Sequence, residues 1–308
     1  MRNATLRQLR TFAEVARHSS FTAAARSLHL TQPAVSMQVR QLEDAAGLPL
    51  FEQVGKRAQL TQAGRELLAY ASGIADLVRG AEEAMTSLKG IGGGELAIAV
   101  ASTAKYFAPR LLAEFRRRHP QVRLRLVVSN REAVVRELAA NSVDLAIMGR
   151  SPRGMDTEAT AFARHPIAII AAPDHPLAGR KRLPLERLAQ ETFIIRERGS
   201  GTRAAMEHVF AERGFRTGEV LEMSSNETIK QAVMAGMGVA FLSTHTIGLE
   251  LKAGRLVTLK VSGLPVMRDW HIVHRRQKRL SPAGALFREF LLSDGARLID
   301  LAVGGPAT

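Results

Sequence analysis

The chain has no cysteine in its 308 residues. That excludes a disulfide framework, a thiol nucleophile and a cysteine-bound metal. It also lacks a long hydrophobic run. The longest apolar stretches, such as Ile167–Ala172, fall far short of the ~18 residues that a membrane span needs. Arg2, Arg7, Arg10 and Glu14 interrupt any apolar segment at the start, so no signal peptide is read there and a cytoplasmic protein is expected. No GxxxxGK[ST], HExxH or GxSxG string occurs. The nine histidines are scattered: His119 and His175 precede prolines and read as loop residues, and His271 and His274 flank a strand near Trp270. Neither an enzyme nor a holder of a cofactor or metal is therefore expected. Hydrophobic residues at 46% and charged residues at 23% exclude a disordered chain and a collagen-like repeat. The length suggests two domains with sizeable cores.

Acidic residues are the scarcer sign. Forty-three lysines and arginines against 29 acids give a net charge of +14. The excess points either to a phosphate-bearing partner or to a host that favours arginine-rich surfaces. Residues 1–61 hold eight basic and four acidic side chains. Most of the excess lies beyond them, so charge alone does not locate a nucleic-acid interface.

The pattern of the first sixty residues does. Thr5 can cap a helix with Leu6, Leu9, Phe12, Ala13, Val15 and Ala16 on one face. Ser19 and Ser20 end it, and Thr22 is read as the cap of a short alanine-rich second helix. Leu30-Thr31-Gln32 connects to a third helix with Pro33 in its first turn. Val35, Val39 and Leu42 give that helix a buried face, and Gly47 stops it. A hairpin follows, turning at Gly55-Lys56. Small residues at the crossing suit a helix-turn-helix. Its third helix would present Gln32, Pro33, Ser36, Met37 and Arg40 to a DNA major groove, with Thr31 and Ser36 suited to phosphate oxygens and Arg57 to the backbone or a minor groove.

From Gln62 to Lys89 no proline occurs. Leu67, Ile74, Ala81 and Leu88 repeat every seven residues. Tyr70, Leu77 and Ala84, with Ala71, Val78 and Met85, form a second seam. Such a 3.5-residue repeat fits either a dimer-forming helix over 62–89 or an amphipathic helix packed on its own chain. The glycine run 90–94 reads as a hinge. Beyond it, apolar strand candidates alternate with helices, which predicts an α/β fold with mostly parallel sheets and a terminal helix near 282–294. The last dozen residues read as a loose tail.

In such folds ligands sit where strand ends meet helix starts. Four places fit: Ser102-Thr103 with Lys105; Ser129 with Glu132, a candidate capping box; the glycine loop Gly199-Ser200-Gly201 with Thr202; and Ser224 with Glu227, a second candidate box. Helix starts with hydroxyls hold a carboxylate or phosphate, or they are ordinary caps. Lys105, Arg150 and Arg203 either neutralise a phosphate or are solvated surface charges.

Residues 6–61 resemble the winged helix-turn-helix of the LysR-type transcriptional regulators. The resemblance is carried by LRQLRTFAEVARHSSFTAAARSLHLTQPAVSMQVRQLEDAAGLPLFEQ and the later LTQAG. It implies a two-lobed effector domain like periplasmic binding proteins, with lobe I near 95–163 and 269–294 and lobe II near 164–268. The two crossing strands would pass near Ala163-Arg164 and Arg268-Asp269. It places effector contacts at Ser102 and Thr103, Ser129 and Asn130, and Ser200, Gly201 and Thr202. Asn226 and the glycines Gly236 and Gly238 would line the fourth side. STAKYFAPRLLAEF, DLAIMGRSPRGMD, ETFIIRERGSGTR, SSNETIKQAVMAGMGVAFLS and KRLSPAG are similar to the regulators of Calvin-cycle operons. That implies an activator of carbon-fixation genes, including those for RuBisCO, bound to double-stranded promoter DNA. It would be a homodimer assembling into a homotetramer, with RNA polymerase as a possible contact. The small anionic effector would be ribulose bisphosphate, phosphoenolpyruvate or NADPH. A paralogue serving another operon with another anionic effector is the alternative. An architectural DNA-binding protein would need no α/β cleft.

Overall fold

The computed structural model describes residues 1, 3–55, 57–88 and 94–303. Lys56 of the hairpin turn, Lys89, Gly90–Gly93 of the expected hinge and the final residues 304–308 lie outside the described residues. Two compact units result, the first ending at Leu88 and including Gln277–Arg279, the second comprising the rest.

The first unit opens with α1 (Leu6–His18), α2 (Phe21–Ser27) and α3 (Gln32–Ala46), then the antiparallel hairpin β1 (Phe51–Val54) and β2 (Arg57–Leu60), then α4 (Gln62–Leu88). Thr5 caps α1 in a full capping box with Gln8. Ser20, not Thr22, caps α2, because its side chain accepts the Ala23 amide. Thr31 caps α3 by accepting from the Ala34 amide, and Gly47 closes that helix at φ 71°. Phe12, Val15, Val35, Val39, Leu42 and Leu50 are buried among one another. At roughly 1.5–3 kcal/mol per fully buried large side chain, this small core holds the three helices in register. Thr11 adds a buried hydrogen bond to Gln38 at 2.6 Å.

The long helix α4 divides along its length and not between its two seams. Leu67 and Ile74 of the first seam and Ala71 of the second pack into the same core as Phe12 and Leu50, so this face serves its own chain. Tyr70, Leu77 and Met85 stay exposed at 69%, 64% and 55%. The side chains of Ala84 and Leu88 lie outside the described residues.

The second unit contains β3 (Glu95–Ala101), α5 (Ala108–Arg118), β4 (Arg123–Ser129), α6 (Arg131–Ala139), β5 (Leu145–Met148), β6 (Thr157–Ala171), β7 (Phe193–Arg196), α7 (Gly201–Glu212), β8 (Val220–Met223), α8 (Asn226–Met234), β9 (Val239–Ser243), α9 (Gly248–Lys252), β10 (Val257–Thr258), β11 (Val266–Arg275) and α10 (Pro282–Val303). Nine strands form one sheet in the order β4-β3-β5-β11-β6-β9-β7-β8, with β10 beside β6. The wings are parallel: β3 pairs with β4 and β5, and β7 with β8 and β9. The centre is antiparallel, where β11 pairs with β5 and β6, and β6 with β9 and β10. The expectation of mostly parallel strands therefore holds only for the wings. The first half of β6 mixes threonine, glutamate and alanine with one buried residue, Phe162, so it carries no continuous apolar run to mark it as a strand.

Each wing with its helices is a lobe, and β6 and β11 run through both. Leu96, Ile98, Phe107, Phe115, Trp270 and Phe287 fill one core. Ile169, Leu188, Phe193, Phe210 and Phe241 fill the other. The last helix continues to Val303 rather than stopping near 294, because Leu298 and Ile299 extend the buried face begun by Phe287 and Leu291.

In the first unit, Glu14 ties α1 to α2. It accepts from Arg17 Nε at 3.1 Å and from the Ser27 hydroxyl. The Arg17 hydrogen bond, reinforced by Ser27 and opposed by burial, holds its carboxyl down at about 2. A carboxylate so lowered contributes stability above its unfolded value and loses it as pH falls through the folded one. Circular dichroism melts between pH 5 and pH 2 will show this part of the helical unit weakening with acid, and Glu14→Gln will flatten that dependence.

Candidate functional site

On the helical unit, Gln32, Pro33, Met37 and Arg40 are exposed on α3, while Val35, Val39 and Leu42 point into the core. Helical spacing puts 32, 36 and 40 on one face. Gln32 Nε2 donates to Ser36 Oγ at 2.9 Å, which orients the glutamine from its own helix. Among the described residues no carboxylate lies within ion-pair distance of Arg40, so its guanidinium is free to bond elsewhere. Arg57 opens β2, opposite Val54, and is exposed. Thr31 is occupied as the α3 cap, its exposed side chain only 3.4 Å from the amide it serves. The face is thus a polar, cation-bearing helix surface beside a hairpin wing, with the dimensions for a major groove.

The second unit encloses a cavity of about 320 Å³ where the C-terminal ends of β3 and β5 meet the start of α7 and the middle of β6 and β11. Ser102 and Thr103 line it from a 3-10 turn after β3, and Ser200, Gly201 and Thr202 from the start of α7. The Thr103 and Thr202 hydroxyls stand 3.4 Å apart, both buried. Arg150 lines it too, beside three arginines that sequence reasoning did not single out: Arg131, Arg153 and Arg268. Among the described residues none of the four has a carboxylate within ion-pair distance. Arg131 donates only to the Ser151 carbonyl, at 3.3 Å. Burial, then the charges of Arg150 and Arg153, push the Arg131 guanidinium down from its ordinary value. Burial, then Arg150 and Arg131, do the same to Arg268. Like charges this crowded repel, and an anion between them would relieve the repulsion. The donor set is hydroxyls, helix-start amides and guanidinia, and among the described residues no group of three or more histidines, aspartates or glutamates could hold a metal.

Several expected contacts are not brought to this cavity. Lys105 faces away, 4.0 Å from Glu227 and over the Tyr106 ring at 5.1 Å. Arg203 is occupied by Glu207 at 2.7 Å and by Glu222, and it borders a separate recess. Ser129 ends β4 and Asn130 caps α6, so the expected Ser129–Glu132 box does not form. Asn130 accepts from the Ala133 amide at 3.0 Å and donates to Glu197 at 3.3 Å. Ser225, not Ser224, caps α8. Asn226 is buried and accepts from Arg196. Gly236 and Gly238 shape the backbone instead. At Gly238, φ is 147° and an added Cβ would stand 2.2 Å from the Thr192 carbonyl oxygen.

Arg196, only 3% exposed, is a link that the sequence hid. It pairs with Glu197 at 2.8 Å, donates to Asn226, and donates to Ser102 Oγ at 3.1 Å. It thereby joins β7 of one lobe to the lining of the other. A strand ending in Arg-Glu was its one trace, and that reads equally as an exposed loop entry.

Comparison with known proteins fits this architecture. The family model "Bacterial regulatory helix-turn-helix protein, lysR family" matches residues 6–65, and "LysR substrate binding domain" matches residues 90–296. The chain belongs to the LysR family of DNA-binding transcriptional regulators. It is 56% identical over 294 residues, 96% of this chain and 97% of the other, to a RuBisCO operon transcriptional regulator of Allochromatium vinosum. It is 51% identical over 286 residues, 93% of this chain and 95% of the other, to the transcriptional regulator CbbR of Rhodospirillum rubrum. The resemblance to regulators of Calvin-cycle operons thus extends along nearly the whole LysR-family chain. Among solved structures, the regulatory domain of Synechocystis CcmR in complex with 2-PG matches with a TM-score of 0.63 and 39% identity, covering 65% of this chain and 96% of that one. Among the described residues no helix is long and apolar enough to cross a membrane.

Arg196→Met would leave Glu197 and Asn226 without their partner. Loss of about 3 kcal/mol in the unfolding of the second unit is expected, read by denaturant titration.

Proposed function

We propose that this LysR-family regulator activates a carbon-fixation operon and switches when a small phosphorylated metabolite enters the cleft of its second unit. The observation that carries the reading is the wall formed by Arg131, Arg150, Arg153 and Arg268, four cations without an acidic partner among the described residues, around a cavity of about 320 Å³. A phosphate dianion accepting from several guanidinia is the complementary ligand. The names of the relatives support the operon, and the 2-PG complex of CcmR supports the phosphorylated ligand class. The cavity lies at the small end of ligand pockets, which favours a compact ester such as ribulose bisphosphate or phosphoenolpyruvate over NADPH.

The ligand acts through its unequal affinity for two arrangements of the lobes. DNA reading belongs to Gln32, Ser36, Met37 and Arg40, with Thr31, Pro33 and Arg57 at the edges. The exposed stripe Tyr70, Leu77 and Met85 on α4 supports a homodimer through this helix, since two copies would cover apolar surface that one leaves in water. Twofold pairing would match two half-sites on promoter DNA. A tetramer of two such dimers follows the family pattern.

Two measurements test the reading. In a thermal-melt panel at fixed ionic strength, a phosphorylated effector at 100 times its dissociation constant should stabilise the second unit by about 2.7 kcal/mol. Sulfate should not reproduce the rise, and Arg268→Gln should abolish it while leaving operator binding intact. A rise only with a non-phosphorylated acid would move the chain to another effector and operon. In binding assays, Arg40→Ala should cost about 1–3 kcal/mol on the operator and far less on random DNA. Equal weakening on both would make Arg40 a phosphate contact instead.

A further inference from the structure

His165 is the cavity residue to which the phosphate-binding reading gives no work. It stands opposite Arg268 in the β6–β11 ladder, so both side chains leave the sheet on the same face. Its ring lies on Trp270, with centroids 4.0 Å and planes 18° apart. A Cβ on Gly149 would stand 3.1 Å from its Nδ1, so only a glycine fits against that side of the ring without crowding it. His165 is 5% exposed, and neither Nδ1 nor Nε2 has a hydrogen-bond partner. His245, in the same aromatic stack, is satisfied: its Nδ1 accepts from Trp270 Nε1 at 3.1 Å. The two histidines thus differ in one respect. One is bonded inside the protein, and the other lines the ligand cavity with both nitrogens unmatched.

Burial, with His245 and Arg268 beside it, holds the imidazole well below its usual value and therefore uncharged. A neutral imidazole offers one donor and one acceptor. Next to four guanidinia its one donor adds little to phosphate affinity, but the donor–acceptor pair complements a group that both donates and accepts. We infer that His165 is a specificity-determining residue of the cleft, hydrogen-bonding a hydroxyl on the carbon skeleton of a ligand whose phosphate lies against the arginine wall. The inference rests on the phosphorylated-effector reading. A cavity with such a buried group rejects an analogue lacking the hydroxyl, because the imidazole is then left unpaired.

The test is calorimetric titration of the full chain with 3-phosphoglycerate, with 3-(phosphonooxy)propionate, which differs only in lacking the hydroxyl, and with 2-phosphoglycolate. Wild-type protein should bind the hydroxylated ester about tenfold tighter than its deoxy analogue, the size of one hydrogen bond's discrimination. His165→Phe keeps a ring on Trp270 and removes both nitrogens, so it should bring the two esters within about twofold, through weaker binding of 3-phosphoglycerate alone. Gly149→Ala, which crowds Nδ1 without removing it, should narrow the gap in the same direction and guards against a folding defect in the first variant. No wild-type preference, or a preference unchanged in both variants, would overturn the inference. So would binding of 2-phosphoglycolate without either three-carbon ester, and that result would leave the phosphorylated-effector reading standing. Failure of all three to bind would overturn the inference, and only failure of ribulose bisphosphate and phosphoenolpyruvate in the melt panel as well would sink the phosphorylated-effector reading.

Discussion

The antiparallel pairing of β6 with β11 is the constraint on which the second unit depends. The register runs from Val266 opposite Ile167 to Arg275 opposite Thr157, with one irregularity between Trp270 and His271. This two-stranded spine passes through both lobes, so each parallel wing is anchored to it. Trp270, fully buried, packs against Phe107 on one side and His165 on the other. The same pairing sets Arg268 and His165 side by side at the cavity. A shift of one residue in either strand would turn its side chain to the opposite face of the sheet, so the register that holds the lobes together also composes the candidate ligand site.

Electrostatics then divides the labour. The net charge of +14 is spread over the chain, and several arginines are ordinary members of surface ion pairs, such as Arg117 with Glu114 or Arg276 with Asp156. Such exposed pairs contribute little to stability. What matters is where the partner is missing. Among the described residues Arg40 on the exposed face of α3 has no acidic partner, and neither has the arginine wall of the cleft. Around a cleft whose floor is buried, four uncompensated cations, two of them half-buried and two exposed, are a standing preference for a multiply charged anion. Arg196 is the contrast. It is far more deeply buried, yet satisfied by Glu197, Asn226 and Ser102, and it connects the lobes.

Much of this was legible in the chain, for identifiable reasons. Helices α1 and α3 carry caps and apolar faces at helical spacing, and these signals are local. The strand–hydroxyl–helix junctions at Ser102-Thr103 and Ser200-Gly201-Thr202 were also local, and the structure brings both to one cavity. Lys105 was misplaced because its acid partner, Glu227, lies far along the chain, whereas the i,i+4 partner of Arg203, Glu207, was there to be read on its own helix. Arg131, Arg153 and Arg268 were passed over because nothing near them in sequence distinguishes an unpaired arginine from a paired one.

The sequence by itself determined the division into a helix-turn-helix unit and an α/β unit, the family, and the residues that face outward on α3. These follow from periodicity, capping and motif spacing, which act over one to four helical turns. The tertiary structure alone decided which apolar residues of α4 stay exposed, which arginines remain without an acid, and that His165 is left with two unmatched nitrogens. Those properties are set by what the sheet brings alongside each residue. The strands β6 and β11 meet across about a hundred residues of intervening chain, so no local pattern records their pairing.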